Sequence, residues 1–347
     1  MAGGTGGHIF PGLAVAELLR SRGWNVHWLG APAPSMESQL VPKHGFVFEP
    51  VRFGGLRGKG LITAALLPLR LLQAFWQSLQ VVRRLKPDVL VGLGGYISFP
   101  GGMMGVLCGK PLVLHEQNSV AGLANKVLAH IADRVLSTFP GVLPKAQWVG
   151  NPMRNAFLEQ APPTQRFEAR SGVLRILVVG GSLGAQALNS VLPQALALIP
   201  VDQRPQVIHQ GGAKHIGQLQ TNYAQSDVQA ELLAFIEDTA TAFANADLVI
   251  CRAGASTVSE IAAVGAAALF VPFPHAVDDH QTVNAQFLVN QQAAWLMPQS
   301  SLTATALAEF IQSINRGQLL QAADKAYGLR KTTAAFDVVQ ACEEVVV

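Results

Sequence analysis

The sequence predicts an α/β protein of two domains, each built on a parallel sheet. Three observations carry this. The chain has 347 residues, about twice the ~150 of an ordinary domain. Apolar runs of four to seven residues alternate with longer stretches of helical periodicity. The runs are continuous rather than alternating with polar residues, which indicates strands buried on both faces, as in parallel sheets covered by helices.

In chain order, strands are expected at 25–30 (NVHWLG), 89–94 (VLVGLG), 112–116 (LVLHE), 134–138 (RVLST), 175–181 (RILVVGG), 206–212 (QVIHQGG), 247–254 (DLVICRAG) and 267–273 (AALFVPF). Helices are expected between them, at 11–22, 61–86, 120–132, 185–199, 256–265, 281–293 and 303–315. A polar stretch at 155–174, with adjacent Pro162 and Pro163, marks the division. The domains are therefore expected at 1–154 and 155–330. A last helical stretch, 318–345, is long enough to leave the second domain, so that 331–347 packs back on the first.

Charge follows the same division. Residues 1–150 carry 14 Lys/Arg against 6 Asp/Glu, net +8, and residues 151–347 carry 11 against 16, net −5. The overall +3 is too small to argue for nucleic acid, and none is expected as a partner. A hydrophobic content of 50% with 14% charged residues excludes a disordered chain. Cys108, Cys251 and Cys342 are odd in number and unpaired in spacing, against a disulfide framework or a structural zinc site. The start, MAGGTGGHIFPG, lacks the basic and apolar regions of a signal peptide. The uncharged run 89–109 could span a bilayer by length, but seven glycines and Pro100 make it a strand, a glycine loop and a helix start.

Three glycine clusters stand where strands give way to helices: Gly3-Gly4-Thr5-Gly6-Gly7, Gly92-Leu93-Gly94-Gly95 and Gly180-Gly181-Ser182-Leu183-Gly184. Glycine lets backbone N–H groups approach an anion, and a helix N-terminus adds partial positive charge. Three such loops point to phosphate or pyrophosphate ligands at the carboxyl edge of the sheets. No P-loop occurs, and the dinucleotide fingerprint is left incomplete at Ile9, which disfavours an NTPase and a redox enzyme.

Gly180-Gly181-Ser182-Leu183-Gly184 also has the form of a nucleophile elbow, with Asp278, Asp279 and His280 as nominal partners. The oxyanion-like His209-Gln210-Gly211-Gly212 falls on the wrong side of it, which argues against a hydrolase. His275 to His280 carries metal-ligand types, but no third cluster accompanies it and no metal is expected. Thr257 to Glu260 has capping-box spacing, so Glu260 either satisfies a helix start or accepts the hydroxyls of a ribose.

Taken together, AGGTGGHIFPGLAVAE, GLRGKG, KPDVLVGLGGYISFPGG, VLHEQNSVAGLANK, VGNPMR, VVGGSLGAQ and CRAGASTVSEIAAVGAAALFVPFPHAVDDHQTVNA resemble the MurG family of bacterial GlcNAc transferases, in order, from residue 2 to at least 285. The resemblance implies a GT-B fold, two Rossmann-like domains facing across a cleft. It implies inverting transfer of GlcNAc from UDP-GlcNAc to the C4 hydroxyl of undecaprenyl-pyrophosphoryl-MurNAc-pentapeptide, giving the β-1,4-linked disaccharide lipid of peptidoglycan synthesis, on which cell shape and division depend. The first domain would take the lipid-linked acceptor and the second the nucleotide sugar. No cofactor is implied, and GT-B relatives typically need no divalent metal. Another UDP-GlcNAc enzyme of the same fold, such as an epimerase, is the alternative, ahead of a hydrolase or a non-catalytic UDP-sugar sensor.

Carried over by resemblance, Thr5, Gly6 and Gly7 face donor and acceptor, Asn118 reaches the sugar, and Arg154 and Ser182 handle the nucleotide and its diphosphate. Ile236 gives a backbone contact to uracil. Ala255, Ser256, Thr257, Val258, Ser259 and Glu260 lie over phosphates and ribose, with Glu260 on the ribose hydroxyls, and Gln281 contacts GlcNAc. Leu183 and Gln186 stand where some relatives carry Gln and Arg, so no cation is expected there. The second glycine cluster makes Gly94, Gly95, Tyr96 and Ser98 candidates for the acceptor pyrophosphate. His8 is the candidate general base, because an imidazole titrates near neutrality; Glu116 and His115 are second choices for the base, expected to be structural.

The segment 61–86 places Leu69, Leu72, Trp76 and Leu79 on one face, expected in the core, and Gln73, Gln77, Gln80 and Arg84 on another. Arg52, Arg57, Lys59 and Arg70 nearby would let this half rest on the anionic cytoplasmic surface of the inner membrane, peripherally and with no transmembrane segment. A glycine loop of this kind follows a strand, yet only Met1 and Ala2 precede Gly3, so a first strand of the relatives' kind is expected to be missing.

Overall fold

The structure, a computed structural model, describes residues 1–54, 66–181 and 184–346. The GLRGKG segment with Arg57 and Lys59, the start of the predicted helix 61–86, and Ser182 and Leu183 lie outside these residues. The chain divides into two compact units, Met1–Met153 with Thr333–Val347, and Arg154–Thr332.

The first unit holds β1 (His27–Gly30) and β2 (Val47–Pro50) as one parallel pair. A four-stranded parallel sheet carries β3 (Leu90–Gly92), β4 (Leu112–Glu116), β5 (Arg134–Ser137) and β6 (Gln147–Trp148) in that order. Met1 runs along the free edge of β3: its amine donates to the Val91 carbonyl at 2.8 Å, and its own carbonyl accepts from Leu93 N–H at 2.9 Å. On the other side the Trp28 indole of β1 donates to the Ala2 carbonyl at 3.0 Å. Burial lowers the Met1 amine to about 5. Beside it a cavity of about 280 Å³ opens between Trp28, Leu29, Val82, Leu90 and Gly12.

The second unit is a six-stranded parallel sheet of β7 (Arg175–Val179), β8 (Gln206–Gln210), β9 (Glu231–Leu233), β10 (Leu248–Cys251), β11 (Ala268–Phe270) and β12 (Trp295–Leu296). Its spatial order is β12-β11-β10-β7-β8-β9. Numbered within the unit this is the doubly wound order, whose direction reverses between β7 and β10. Ile176, Leu177, Val178 and all of β10 are buried, so each of these side chains contributes roughly 1.5–3 kcal/mol of burial. Buried Asp247 ties the lower edge together, accepting from Arg175 N–H at 2.8 Å and from Arg170 and Arg316 at 3.0 Å each.

All eight predicted strands are present, within two or three residues at their ends. Three helical expectations need correction. The stretch 318–345 is two helices, Arg316–Gly328 and Ala334–Val345, and only the second packs in the first unit, burying Val338, Val339 and Cys342 with Ile9 and Leu13. The helix expected at 11–22 starts at Gly6, with Pro11 inside its second turn, where proline offers no N–H to the Gly7 carbonyl. The face of Leu69, Leu72 and Trp76, expected in the core, is the outer one: these side chains are 65%, 64% and 61% exposed. The helix Leu67–Leu85 instead buries Ala74, Ser78 and Val82, spaced by four, against the helix Ser98–Leu107. Small residues let two helices approach closely, and the large ones are left outside.

Candidate functional site

In the first unit the glycine loop leads into the helix Gly6–Ser21, with Thr5 as an extended N-cap whose carbonyl accepts from His8 and Ile9 N–H. The first N–H groups of that helix have no partner within it, as at any helix start. Gly4 (φ +91°) donates its N–H to Glu37 at 3.3 Å, and the other oxygen of this buried carboxylate accepts from Ala31 N–H at 3.2 Å. Glu37 thus braces the loop, a role no local pattern announced.

The second glycine cluster lies directly against the first. A Cβ at Gly95 (φ +80°) would collide with the Gly3 carbonyl, and one at Gly4 would press on the Tyr96 ring at 3.2 Å. Burial raises the Tyr96 phenol above its usual range, with the Glu37 charge adding to it. Ser98 is buried, and its hydroxyl lies 2.8 Å from the Gly94 carbonyl and 3.1 Å from that of Met1, so it supports the loop from behind.

At the end of β4, His115, Glu116 and Gln117 are all buried. Glu116 accepts from Asn118 N–H at 2.9 Å, Gly122 N–H at 3.2 Å and the Asn125 amide at 2.9 Å. It shapes the turn that carries Asn118. His8 is half-buried, with Nδ1 2.9 Å from the Gln117 amide oxygen.

In the second unit two of the predicted stretches, those after β7 and β10, leave the sheet at its reversal point. Val179 of β7 pairs with Cys251 of β10, so the loops after these strands leave the sheet side by side. The first is Gly180–Gly184, with Gly181 and Gly184 at φ +78° and +75°. A Cβ at Gly184 would collide with the Gly211 carbonyl, so only glycine permits this close passage. Gln210, at the end of β8, donates to the Gly181 carbonyl at 3.2 Å and the Ala234 carbonyl at 3.1 Å. It links the glycine loop after β7 to the segment carrying Ile236, which is half-buried.

The second loop enters the helix Ala255–Val264 with Gly254 as N-cap. The capping box expected at 257–260 is therefore not formed: Thr257 is already the third helical residue and Glu260 lies a turn further in. Ala255 and Val258 turn their side chains into the core, and Val258 N–H is bonded to Gly254 O at 2.9 Å. Glu260 keeps partial exposure, but burial among its neighbours pushes its carboxyl up to about 7, against a lowering by Arg154. Hydrogen bonds with Thr241 lower the Asp238 carboxyl, with a smaller contribution from Arg154, whose guanidinium lies over the Phe157 ring at 5.3 Å. Arg154 thus acts electrostatically on residues 238 and 260, which lie on two other segments.

Gln281 is in the first turn of the helix His280–Val289. Its amide oxygen accepts from Phe273 N–H at 2.9 Å and Ala253 N–H at 3.3 Å, which leaves the amide nitrogen as a donor. Among the described residues, no three His, Cys, Asp or Glu side chains converge in a metal-holding group, and no helix is long and apolar enough to cross a membrane.

Comparison with known proteins places these features in a family. Residues 1–137 match the glycosyltransferase family 28 N-terminal domain and residues 175–339 its C-terminal domain. Proteins of Polaromonas sp. and Paracidovorax citrulli are each 67% identical over 99% of this chain and cover 90% and 97% of their own lengths. Both are named UDP-N-acetylglucosamine--N-acetylmuramyl-(pentapeptide) pyrophosphoryl-undecaprenol N-acetylglucosamine transferase. The crystal structure of Acinetobacter baumannii MurG superposes with a TM-score of 0.87 at 39% identity, covering 99% of this chain and 98% of that one. A glycosyltransferase of kitacinnamycin, at 16% identity and a TM-score of 0.70, shares the fold alone. The two parallel-sheet units are those of the GT-B class, and the chain belongs to glycosyltransferase family 28.

Proposed function

We propose that the protein transfers GlcNAc from UDP-GlcNAc to the C4 hydroxyl of undecaprenyl-pyrophosphoryl-MurNAc-pentapeptide, with inversion, to give the β-1,4-linked disaccharide lipid. The observation that carries this reading is the 67% identity, over nearly the whole chain, to transferases named for these substrates.

The second unit binds the donor. Ile236 meets uracil through its backbone, Glu260 accepts the ribose hydroxyls, and Gln281 donates its amide N–H to GlcNAc. The loop Gly180–Gly184 with Ser182, the helix start at Ala255, Ser256 and Thr257, Ser259 nearby, and Arg154 hold the diphosphate. Val258 anchors that helix start in the core. As the bond from C1 to the phosphate oxygen breaks, negative charge grows on the departing UDP, where oriented N–H groups and a guanidinium stabilise it most. This donor set can do the work of a divalent ion.

The first unit supplies the acceptor half. Thr5, Gly6 and Gly7 present N–H groups at a helix start, Gly94, Gly95 and Tyr96 take the acceptor pyrophosphate with Ser98 behind them, and Asn118 reaches the sugar. The C4 oxygen attacks C1, and its proton passes to His8. Exposed Leu69, Leu72 and Trp76, flanked by Arg70 and Arg83, support docking on the anionic cytoplasmic face of the inner membrane, where the lipid acceptor resides. Apolar side chains and cations act together at such a surface.

Incubation with labelled UDP-GlcNAc and the MurNAc lipid, with and without EDTA, tests the reading. EDTA-insensitive transfer to the lipid is expected. Release of free GlcNAc or its epimer without transfer would refute it.

A further inference from the structure

The nitrogen of His8 that takes the acceptor proton follows from a chain of contacts in which each donor and acceptor is fixed. The chain starts at the Gly150 carbonyl, 2.8 Å from Nε2 of His115. A carbonyl can only accept, so Nε2 of His115 carries hydrogen. Burial lowers this imidazole to about 4, so near neutral pH it bears one proton and its Nδ1 holds a lone pair.

The amide nitrogen of Gln117 lies 2.9 Å from that Nδ1 and 3.2 Å from the carbonyl oxygen of His115. Both neighbours are acceptors, which settles the end of the amide that is nitrogen. The amide oxygen therefore faces the other way, 2.9 Å from Nδ1 of His8. An amide oxygen can only accept, so Nδ1 of His8 carries hydrogen and the lone pair of the neutral ring is on Nε2.

We propose that Gln117 and His115 are positioning residues, anchored on the Gly150 carbonyl, that hold His8 as its Nδ1–H tautomer and so present Nε2 to the acceptor hydroxyl. The proposal deepens the reading of His8 as the base and rests on it for its catalytic part. In the step, Nε2 takes the C4 hydroxyl proton as the new C–O bond forms and the bond to UDP breaks. The Nδ1–H···O bond to Gln117 is the same before and after, so no partner has to turn. In a hydrolytic triad a carboxylate fills this place and also stabilises the imidazolium; a neutral amide fixes the tautomer and orientation without a counter-charge. Gly94 is part of the arrangement, because a Cβ there (φ +84°) would stand 2.8 Å from Nδ1 of His8 and 3.1 Å from the Gln117 oxygen.

The test is a long-range ¹H–¹⁵N spectrum of the full-length protein labelled at histidine, with the His8 signals identified by their loss in His8→Ala. Protonated Nδ1 and lone-pair Nε2 are expected for neutral His8. In Gln117→Met, similar in length but without the amide, the Nε2–H tautomer should grow. There kcat should fall ~10- to 100-fold while KM for UDP-GlcNAc changes less than about threefold, the size of effect expected for misplacing a general base. A native His8 protonated on Nε2, or an unchanged tautomer in Gln117→Met, would overturn the relay. A changed tautomer with unchanged kcat would overturn its catalytic role. If Gln117→Met does not fold, the native spectrum still decides the tautomer. Full transfer by His8→Ala would refute His8 as the base, while the spectrum would still decide whether the relay exists.

Discussion

Lowering the pH from 8 to 6 should weaken UDP-GlcNAc binding about tenfold, through Glu260. Burial pushes this carboxyl up to about 7 despite the opposing field of Arg154. Only the ionised form can accept both ribose hydroxyls, since a protonated carboxyl must spend one oxygen as a donor. The apparent dissociation constant then rises by a factor of one plus ten to the power (7 − pH). That factor is about 1.1 at pH 8 and about 11 at pH 6, a difference of roughly 1.4 kcal/mol. UDP-GlcNAc is the ligand to use, because UDP has a terminal phosphate that itself titrates near pH 6. Titration calorimetry from pH 5.5 to 8.5 should trace this curve, and Glu260→Gln should be weak and flat across it. Stability without ligand runs the other way. The folded-state pKa lies above the unfolded one, so this group's stabilisation is present below about pH 4.5 and is lost as pH rises through 7. Donor affinity that does not change between pH 8 and 6, or an equal slope in Glu260→Gln, would refute the assignment.

Other consequences are read by simpler assays. His8→Gln should lose ~10²- to 10⁴-fold in kcat with donor KM nearly unchanged, measured by transfer of labelled GlcNAc. Gly95→Ala should destabilise the first unit by about 1–3 kcal/mol in denaturant unfolding, because its Cβ meets the Gly3 carbonyl at a positive φ. Trp76→Glu with Leu72→Glu should cut binding to anionic vesicles at least ~10-fold, since each exposed side chain gives up roughly 1.5–3 kcal/mol of burial in the bilayer interface. The same pair should leave the melting temperature within a few degrees of the native value.

Six of the eight strands legible in the sequence, all but β1 and β3, sit inside a sheet. β4, β7 and β10 are continuous apolar runs because helices cover both their faces, and their bounds were read within a few residues. The strands that escaped, β2, β6, β9 and β12, are two to four residues long and lie at sheet edges, where half-exposed backbone places no demand on composition. The outward face of helix Leu67–Leu85 could not be read from periodicity, which reports that a stripe exists and not which side is covered. The covering was decided by Ala74 and Ser78, small enough for close helix contact. Glycine clusters were legible because their backbone conformation and close passages demand glycine. The residues that brace them were not: Glu37 lies 33 residues from Gly4, and Gln117 lies 109 from His8. Such partners are joined by the fold, and neither carries a local pattern. For Gln281 and Glu260, family resemblance named the positions, while the structure supplied the chemistry, a fixed amide donor and a carboxyl raised by burial.

The most direct test of the account is the anomeric configuration of the product formed from UDP-α-GlcNAc and the MurNAc lipid. Proton NMR of the isolated disaccharide should show the large H1–H2 coupling of a β-linkage to C4 of MurNAc, with UDP released in equal amount. An α-linked product, or UDP released without a disaccharide, would contradict single displacement by an acceptor hydroxyl deprotonated at His8.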